Sequence, residues 1–252
     1  MTGWKIFSHS LSMVLRNLGW ALQIALVPVL IAMVCIAALL WGQFGELLDN
    51  QGRLDYVPSG GLVTSILLSV VIFIAAELWV FVSWHRFVLL EEYPTGWIPK
   101  FHGDRILAYF GTSLLLGLVI ILAWVVIGGV FTAVGAMLSS TVFSIMVLFI
   151  AMIAIGILFF RLLPTLPAAA IGEKLSFSES IEATKGTAGT AIVLFLVLML
   201  VQILLQLITN VSIYVFAPLG LVFAVATALI MTLVNVSILT TIYGHYVQGR
   251  PI

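Results

Sequence analysis

Between Thr190 and Thr209 the chain reads TAIVLFLVLMLVQILLQLIT, without a single charge. At 1.5 Å per residue, a helix of this length matches the ~30 Å hydrocarbon core of a bilayer. Hydrocarbon offers no hydrogen-bond partners, so a backbone inside it must bond to itself, and a helix does so within one segment. A membrane barrel would instead show short strands of alternating polarity, and none occur. Five further stretches share this character: Trp20 to Trp41, Leu62 to Ser83, Ile106 to Ala136, Thr141 to Phe160 and Leu219 to Thr241. The sequence therefore predicts an all-α fold, a polytopic membrane bundle of six transmembrane helices in one domain. The stretch from Ile106 is too long for one perpendicular crossing, so it must tilt or begin outside the hydrocarbon. Pro28 is expected to break the first helix.

Composition agrees. Of 252 residues, 63% are hydrophobic and 8% charged, against about 25% charged in a soluble domain. The mean hydropathy is +1.26. A soluble enzyme and a disordered chain are both excluded. Ten basic residues balance ten acidic ones, so no basic face offers itself to nucleic acid. A single cysteine, Cys35, gives no disulfide framework and no cysteine metal site. The first apolar run exceeds a signal-peptide core, and Trp41-Gly42-Gln43-Phe44 is unsuited to cleavage, so it reads as a permanent helix.

With six crossings both termini share a side. Lys5, Arg16, Arg86, Lys100, Arg105, Arg161, Lys174, Lys185 and Arg250 fall on that side, and Arg53 alone on the other. The positive-inside rule places both termini in the cytoplasm. The outer loop Gly42 to Gly61 carries Glu46, Asp49 and Asp55; the outer connections near Ser139 and Pro218 are short. Trp20, Trp84, Trp97, Tyr93, Tyr243 and Tyr246 fit an inner aromatic belt, and Trp41, Tyr56 and Tyr214 an outer one.

The chain also divides into three units, 1–92, 93–172 and 173–252, each an interfacial segment followed by two spans. In the first, Trp4, Phe7, Leu11, Val14, Leu15 and Leu18 fall at helical spacing among Lys5, Ser8, Ser12 and Arg16, as in an amphipathic helix lying among headgroups. The second opens near Pro99 to Tyr109. The third opens at Ser176, where Ser176 or Ser178 can cap a helix whose start favours Glu179 and Glu182. The units exit as Ser83-Trp84-His85-Arg86, Phe159-Phe160-Arg161 and Tyr243-Gly244-His245-Tyr246. These ends are either related binding elements or the anchors any helix leaving toward the cytoplasm requires.

The stretch Phe159 to Gly186, FFRLLPTLPAAAIGEKLSFSESIEATKG, resembles the loop between helices four and five in YciC-like bacterial inner-membrane proteins. The membrane domain of some glycerophosphodiester phosphodiesterases is similar. Both have a helix running into a proline, a small-residue stretch, and an amphipathic helix with a serine and a basic residue. The resemblance implies a six-helix bundle in a bacterial inner membrane and brings no catalytic residues. The phosphodiesterase domain itself is lacking here, so that activity does not carry over. Independently of the family, Pro164 and Pro167 should kink the chain as it leaves the membrane, and Ala168 to Ala170 should permit close packing.

Glu77 lies nine positions before Arg86, roughly 13 Å along a helix and inside the hydrocarbon. A charge there costs roughly 2.5–3.5 kcal/mol on insertion scales, so it must be protonated or paired. Asn235 sits at a comparable depth in the sixth helix, and the two are expected to be neighbours. They form either a coupled proton or cation site or a structural hydrogen bond. Gln202, Gln206 and Asn210 make a stripe at i, i+4, i+8, which glues helices or lines a pore. Gly128, Gly129, Ala133 and Gly135 permit close helix approach. Arg86, Lys100, Arg105, Arg161 and Lys185 are candidate contacts for anionic headgroups, although topology alone requires them. Glu91 and Glu92 diverge and read as solvated. His9, His85, His102 and His245 lack metal-ligand spacing, and no phosphate loop or nucleophile elbow appears. No enzyme activity, metal or cofactor is therefore expected. The expected function is that of an accessory, assembly or lipid-contacting membrane protein, with membrane lipids and another membrane protein as partners. The alternative is a transporter of a small or lipid-like substrate using Glu77.

Overall fold

The computed structural model describes residues 2–49, 56–137 and 141–252. Every regular element among them is helical: α1 (Thr2–Arg16), α2 (Leu18–Trp41), α3 (Phe44–Asp49), α4 (Gly60–Leu90), α5 (Gly103–Ala123), α6 (Gly129–Met137), α7 (Thr141–Leu162), α8 (Thr165–Ile171), α9 (Phe177–Ala183), α10 (Ala188–Val215) and α11 (Ala217–Tyr246). A π-helical turn, Trp124–Gly128, joins α5 to α6. Six stretches are long and apolar enough to cross a membrane: Leu18–Trp41, Gly60–Leu90, Gly103–Val134, Val142–Ile171, Ala188–Val215 and Ala217–Tyr246. All six expected spans are therefore present. Arg53, Asp55 and Ser139 lie outside the described residues.

Several local expectations need correction. Pro28 does not break α2, which runs through it with the proline buried; the turns on either side keep their own bonds where lipid offers no alternative. The second span does not end at Ser83. Helix α4 continues to Leu90 and closes on Glu91 in the left-handed region, φ 55°. Trp84 is fully buried and Tyr243 nearly so, so neither belongs to a headgroup belt. Trp97 and Tyr93, and at the far end Trp41 and Tyr214, are exposed as a belt requires.

The openings of the three units are unlike one another. Helix α1 has fifteen residues, the second opening merges into α5, and the third is the seven-residue α9. In α1 the apolar stripe is divided. Phe7 and Val14 are buried with Gly3, Ile6 and Ser10, on a helix that packs against α10 and α11. Trp4 and Leu15 stay exposed. A Cβ on Gly3 would lie 2.7 Å from the Thr190 carbonyl oxygen, so glycine is what lets α1 approach α10. Helix α9 starts with a capping box: Ser176 Oγ accepts from the Glu179 N–H, and Glu179 accepts from the Ser176 N–H at 2.7 Å. The Ser176 hydroxyl, which donates to the same carboxylate at 2.7 Å, and then the Ser176 N–H hold the Glu179 carboxyl below the usual carboxylate range.

Packing is uneven along the bundle axis. Trp84, Phe160, Ile6, Ile24, Leu194 and Ile242 are all essentially fully buried, near the end that carries both termini. At the opposite end Leu67, Val71, Ile203, Leu207 and Val215 are exposed, as side chains solvated by hydrocarbon are free to be. Helix α8 is the centre of the packed end. Thr165, Leu166, Pro167, Ala168 and Ala170 are buried where α8 meets α4, α5 and α11. The proline-alanine stretch thus does what its small volume allows: the helix breaks at Leu163 and Pro164, and α8 packs closely against the bundle.

A seam of hydrogen bonds fastens this end. Trp84 Nε1 donates to Ser237 Oγ at 2.8 Å, His85 Nδ1 lies 2.8 Å from Thr240 Oγ1, and Ser10 and Thr241 hydroxyls meet at 2.9 Å. Thr240 gives its own proton to the Val236 carbonyl. Its oxygen therefore accepts from His85, which places that imidazole's proton on Nδ1 and leaves the buried Nε2 without a partner among the described residues. Replacing Ser237 with alanine strands the buried indole N–H. The Ser237→Ala variant is expected to lose about 1 kcal/mol, read as a lowered thermal midpoint in detergent micelles, with the midpoint unchanged in Ser8→Ala, whose exposed hydroxyl bonds only its own helix.

Candidate functional site

The packed end carries a half-open cavity of about 380 Å³ in the membrane half nearer the termini. Helices α4, α5, α7, α8, α10 and α11 all contribute walls, among them Phe81, Tyr109, Phe160, Leu166, Leu198 and Val236. The lining is apolar apart from Tyr109, Ser113 and Asn235. Ser113 donates to the Tyr109 carbonyl at 2.8 Å, so its oxygen remains as an acceptor. Asn235 is exposed at the cavity and has no hydrogen-bond partner among the described residues, so its amide is free to donate and accept. The volume lies in the usual range for ligand pockets, about 300–1,000 Å³.

Glu77 is half-buried on α4, one residue from Leu78 in the cavity wall. It forms no ion pair or hydrogen bond among the described residues, and none joins it to Asn235. The structure therefore places both on the α4–α11 side of the bundle but does not link them. Gln202 and Gln206 lie elsewhere, in a hollow of about 260 Å³ between α10 and α11 with Thr209 and Thr227. Gln206 Nε2 donates to Asn210 Oδ1 at 2.9 Å.

The five basic residues differ in how much of their charge is already engaged. Arg86 donates from Nε and Nη2 to Glu92 Oε2, both at 2.7 Å, and reaches the Ala170 carbonyl at 3.4 Å. Glu92 is thus paired rather than solvated; Glu91 is exposed as expected. Arg161 turns inward, giving Nη2 to the Ile181 carbonyl at 2.7 Å, while its own carbonyl accepts from Ser180. It straps α7 to α9. Lys185 pairs with Glu182 at 3.2 Å on the surface, a contact worth little. Arg105 pairs with Asp104 at 2.9 Å and lies over Gly172, where a Cβ would come within 2.6 Å of its guanidinium. Lys100 is exposed and unpaired among the described residues, beside a small hollow shared with Arg86, Glu92 and Tyr93. Lys100, Lys185 and Arg105, the last two paired only with exposed carboxylates, are therefore the basic groups most available to a headgroup.

His102, at the start of α5, sits in the same cluster with Nε2 2.9 Å from Glu92 Oε1. The approach is a close charge contact rather than an aligned hydrogen bond. Covering by protein, followed by the charge of Arg86, pushes its pKa below the ordinary value, against the opposing pull of Glu92. Arg86 already neutralises much of that carboxylate, which explains why the pull loses.

Sequence reasoning singled out Glu77, Asn235 and the glutamines because such side chains are rare in hydrocarbon. It missed the cavity and the seam. Tyr109 and Ser113, four residues apart on one face of α5, were the available signal for the first; Ser237, Thr240 and Thr241 on one face of α11 were the signal for the second.

Six membrane-length helices, a membrane-buried cavity and basic groups at one end define a multi-pass integral membrane protein. The chain matches no family model, no curated protein and no solved structure.

A folded-state pKa below that of the unfolded chain makes His102 favour folding above about pH 6.5 and oppose it as the pH falls through that value. The thermal midpoint should therefore fall between pH 7 and pH 5, and His102→Gln should flatten that fall. Arg86, Glu92, Lys100 and Asp104 face the same imidazole, so the comparison is made on the histidine variant alone.

Proposed function

We propose that this protein is a non-catalytic lipid-binding protein of a bacterial inner membrane, with both termini in the cytoplasm. It holds one acyl chain of a lipid in the cavity between α4, α5, α7, α8, α10 and α11. The observation that carries this reading is the cavity itself: apolar, of lipid-chain size, in the leaflet nearest the basic cluster, and edged by the free amide of Asn235. Lys100 and Arg105 lie on the headgroup side of the same leaflet and supply attraction to an anionic lipid. The likeness of Phe159 to Gly186 to YciC-like proteins supports the bacterial inner membrane, and the distribution of lysine and arginine supports the orientation.

Native mass spectrometry of the protein released from mild detergent should find one lipid retained per chain. Ser113→Trp, which fills the cavity, should abolish retention while the thermal midpoint stays near wild type. Equal lipid retention in that variant would remove the basis of the reading. A cysteine placed after Ile252 in a Cys35→Ser background should react with a membrane-impermeant maleimide only once the cells are opened.

A second reading rests on Glu77, half-buried in the span α4 and without a partner among the described residues. In a transporter its carboxyl would exchange a proton with the substrate path. Glu77→Gln should leave lipid retention unchanged if the cavity is a holding site, and should abolish substrate-driven proton movement in proteoliposomes if it is a transport path.

A further inference from the structure

The amide stripe of α10 remains unexplained by a lipid cavity. Gln202, Gln206 and Asn210 are all exposed, yet α10 is a membrane span. Counting back from Val215, Asn210, Gln206 and Gln202 lie about 8, 14 and 20 Å from the far end of the helix. The last two are therefore deep in hydrocarbon, where an amide without a partner is costly. Among the described residues a single bond relieves them, from Gln206 to Asn210. Gln202 has none among the described residues.

We propose that this stripe is the interface between two copies of the chain, related by a two-fold axis along the membrane normal. Copies inserted in the same orientation must meet with helices parallel, so residues at equal depth face each other. The stripe suits such a meeting because it is uncharged and each amide both donates and accepts. Gln206 Nε2 uses one proton on Asn210 and keeps a second. That second proton can go to Oε1 of the same residue in the other copy, which returns an equivalent bond. Gln202 and Asn210 can pair in the same reciprocal way. The hollow beside the stripe, with small Ala224 and Ala228 in its wall, gives the incoming side chains room. A partner bearing a charge would be left with that charge unmatched in hydrocarbon. A partner with an apolar face would leave the amides unsatisfied.

The test is cysteine cross-linking in native membranes, in the Cys35→Ser chain. Met199 shares the stripe's face, three residues before Gln202 and seven before Gln206, and is exposed; Leu204 is exposed on the opposite face. Oxidation of Met199→Cys should give a species of twice the chain mass, and Leu204→Cys should not. The double variant Gln202→Leu, Gln206→Leu remains compatible with a membrane helix. It should weaken self-association about tenfold, given the usual size of interhelical amide bonds, measured by single-molecule photobleaching in liposomes at graded dilution. A wild-type chain that is single at every dilution overturns the proposal. So does cross-linking that is equal from both cysteines, or a product whose mass reveals a different protein. Lipid retention by the dimer and by the leucine variant should be the same, which separates this proposal from the cavity reading.

Discussion

The hydrogen bonds joining α1, α4 and α11 are what the packed end depends on. In a bilayer the apolar surface of a helix gains little by leaving lipid for protein, since both are equally greasy. Contacts that lipid cannot imitate must decide which helices stay together. Trp84 with Ser237, His85 with Thr240 and Ser10 with Thr241 are such contacts, and they lie where the large buried side chains gather. Close approach supports them. Gly3 brings α1 against α10, and the alanines of α8 bring that short helix among α4, α5 and α11. At the opposite end no comparable seam joins the described spans, and their side chains stay open to hydrocarbon.

The same asymmetry organises the candidate site. A cavity can persist in a bundle only if its walls are held by something other than its own filling. Here the seam secures α4 to α11, Arg161 straps α7 to α9, and α8 is wedged in behind. The result is a half-open apolar hollow within one leaflet, bordered by Tyr109, Ser113 and Asn235. The basic residues nearby serve two purposes. Arg86 and Arg161 are committed to holding protein together, whereas Lys100 and Arg105 keep capacity for something outside it.

The number and approximate limits of the spans were legible because hydrocarbon imposes one length on every crossing. Side-chain direction was not, because a helix that is apolar all round carries no periodic mark of which face meets protein. Trp84 shows the consequence: an indole before His85-Arg86 reads as a headgroup anchor, and in the fold it is sealed inside. Glu92 shows another, since its partner Arg86 sits across a chain reversal at Glu91 whose geometry no spacing rule discloses. Pro164 and Pro167 marked a break, but nothing local indicated that α8 would be buried in the core. The rare polar residues identified themselves, yet their neighbours depended on helix rotation, so Glu77 and Asn235 could be chosen but not joined.

The docking of α1 has a consequence for biosynthesis. It leaves the ribosome well before α10 and α11, the helices it packs against. At about 5–20 residues per second, roughly 10–50 s of translation separate the end of α1 from the completion of α11. During that interval Ile6, Phe7 and Val14 have no protein surface to cover them, so the leading segment must wait at the bilayer, or under a chaperone, until the trailing hairpin arrives.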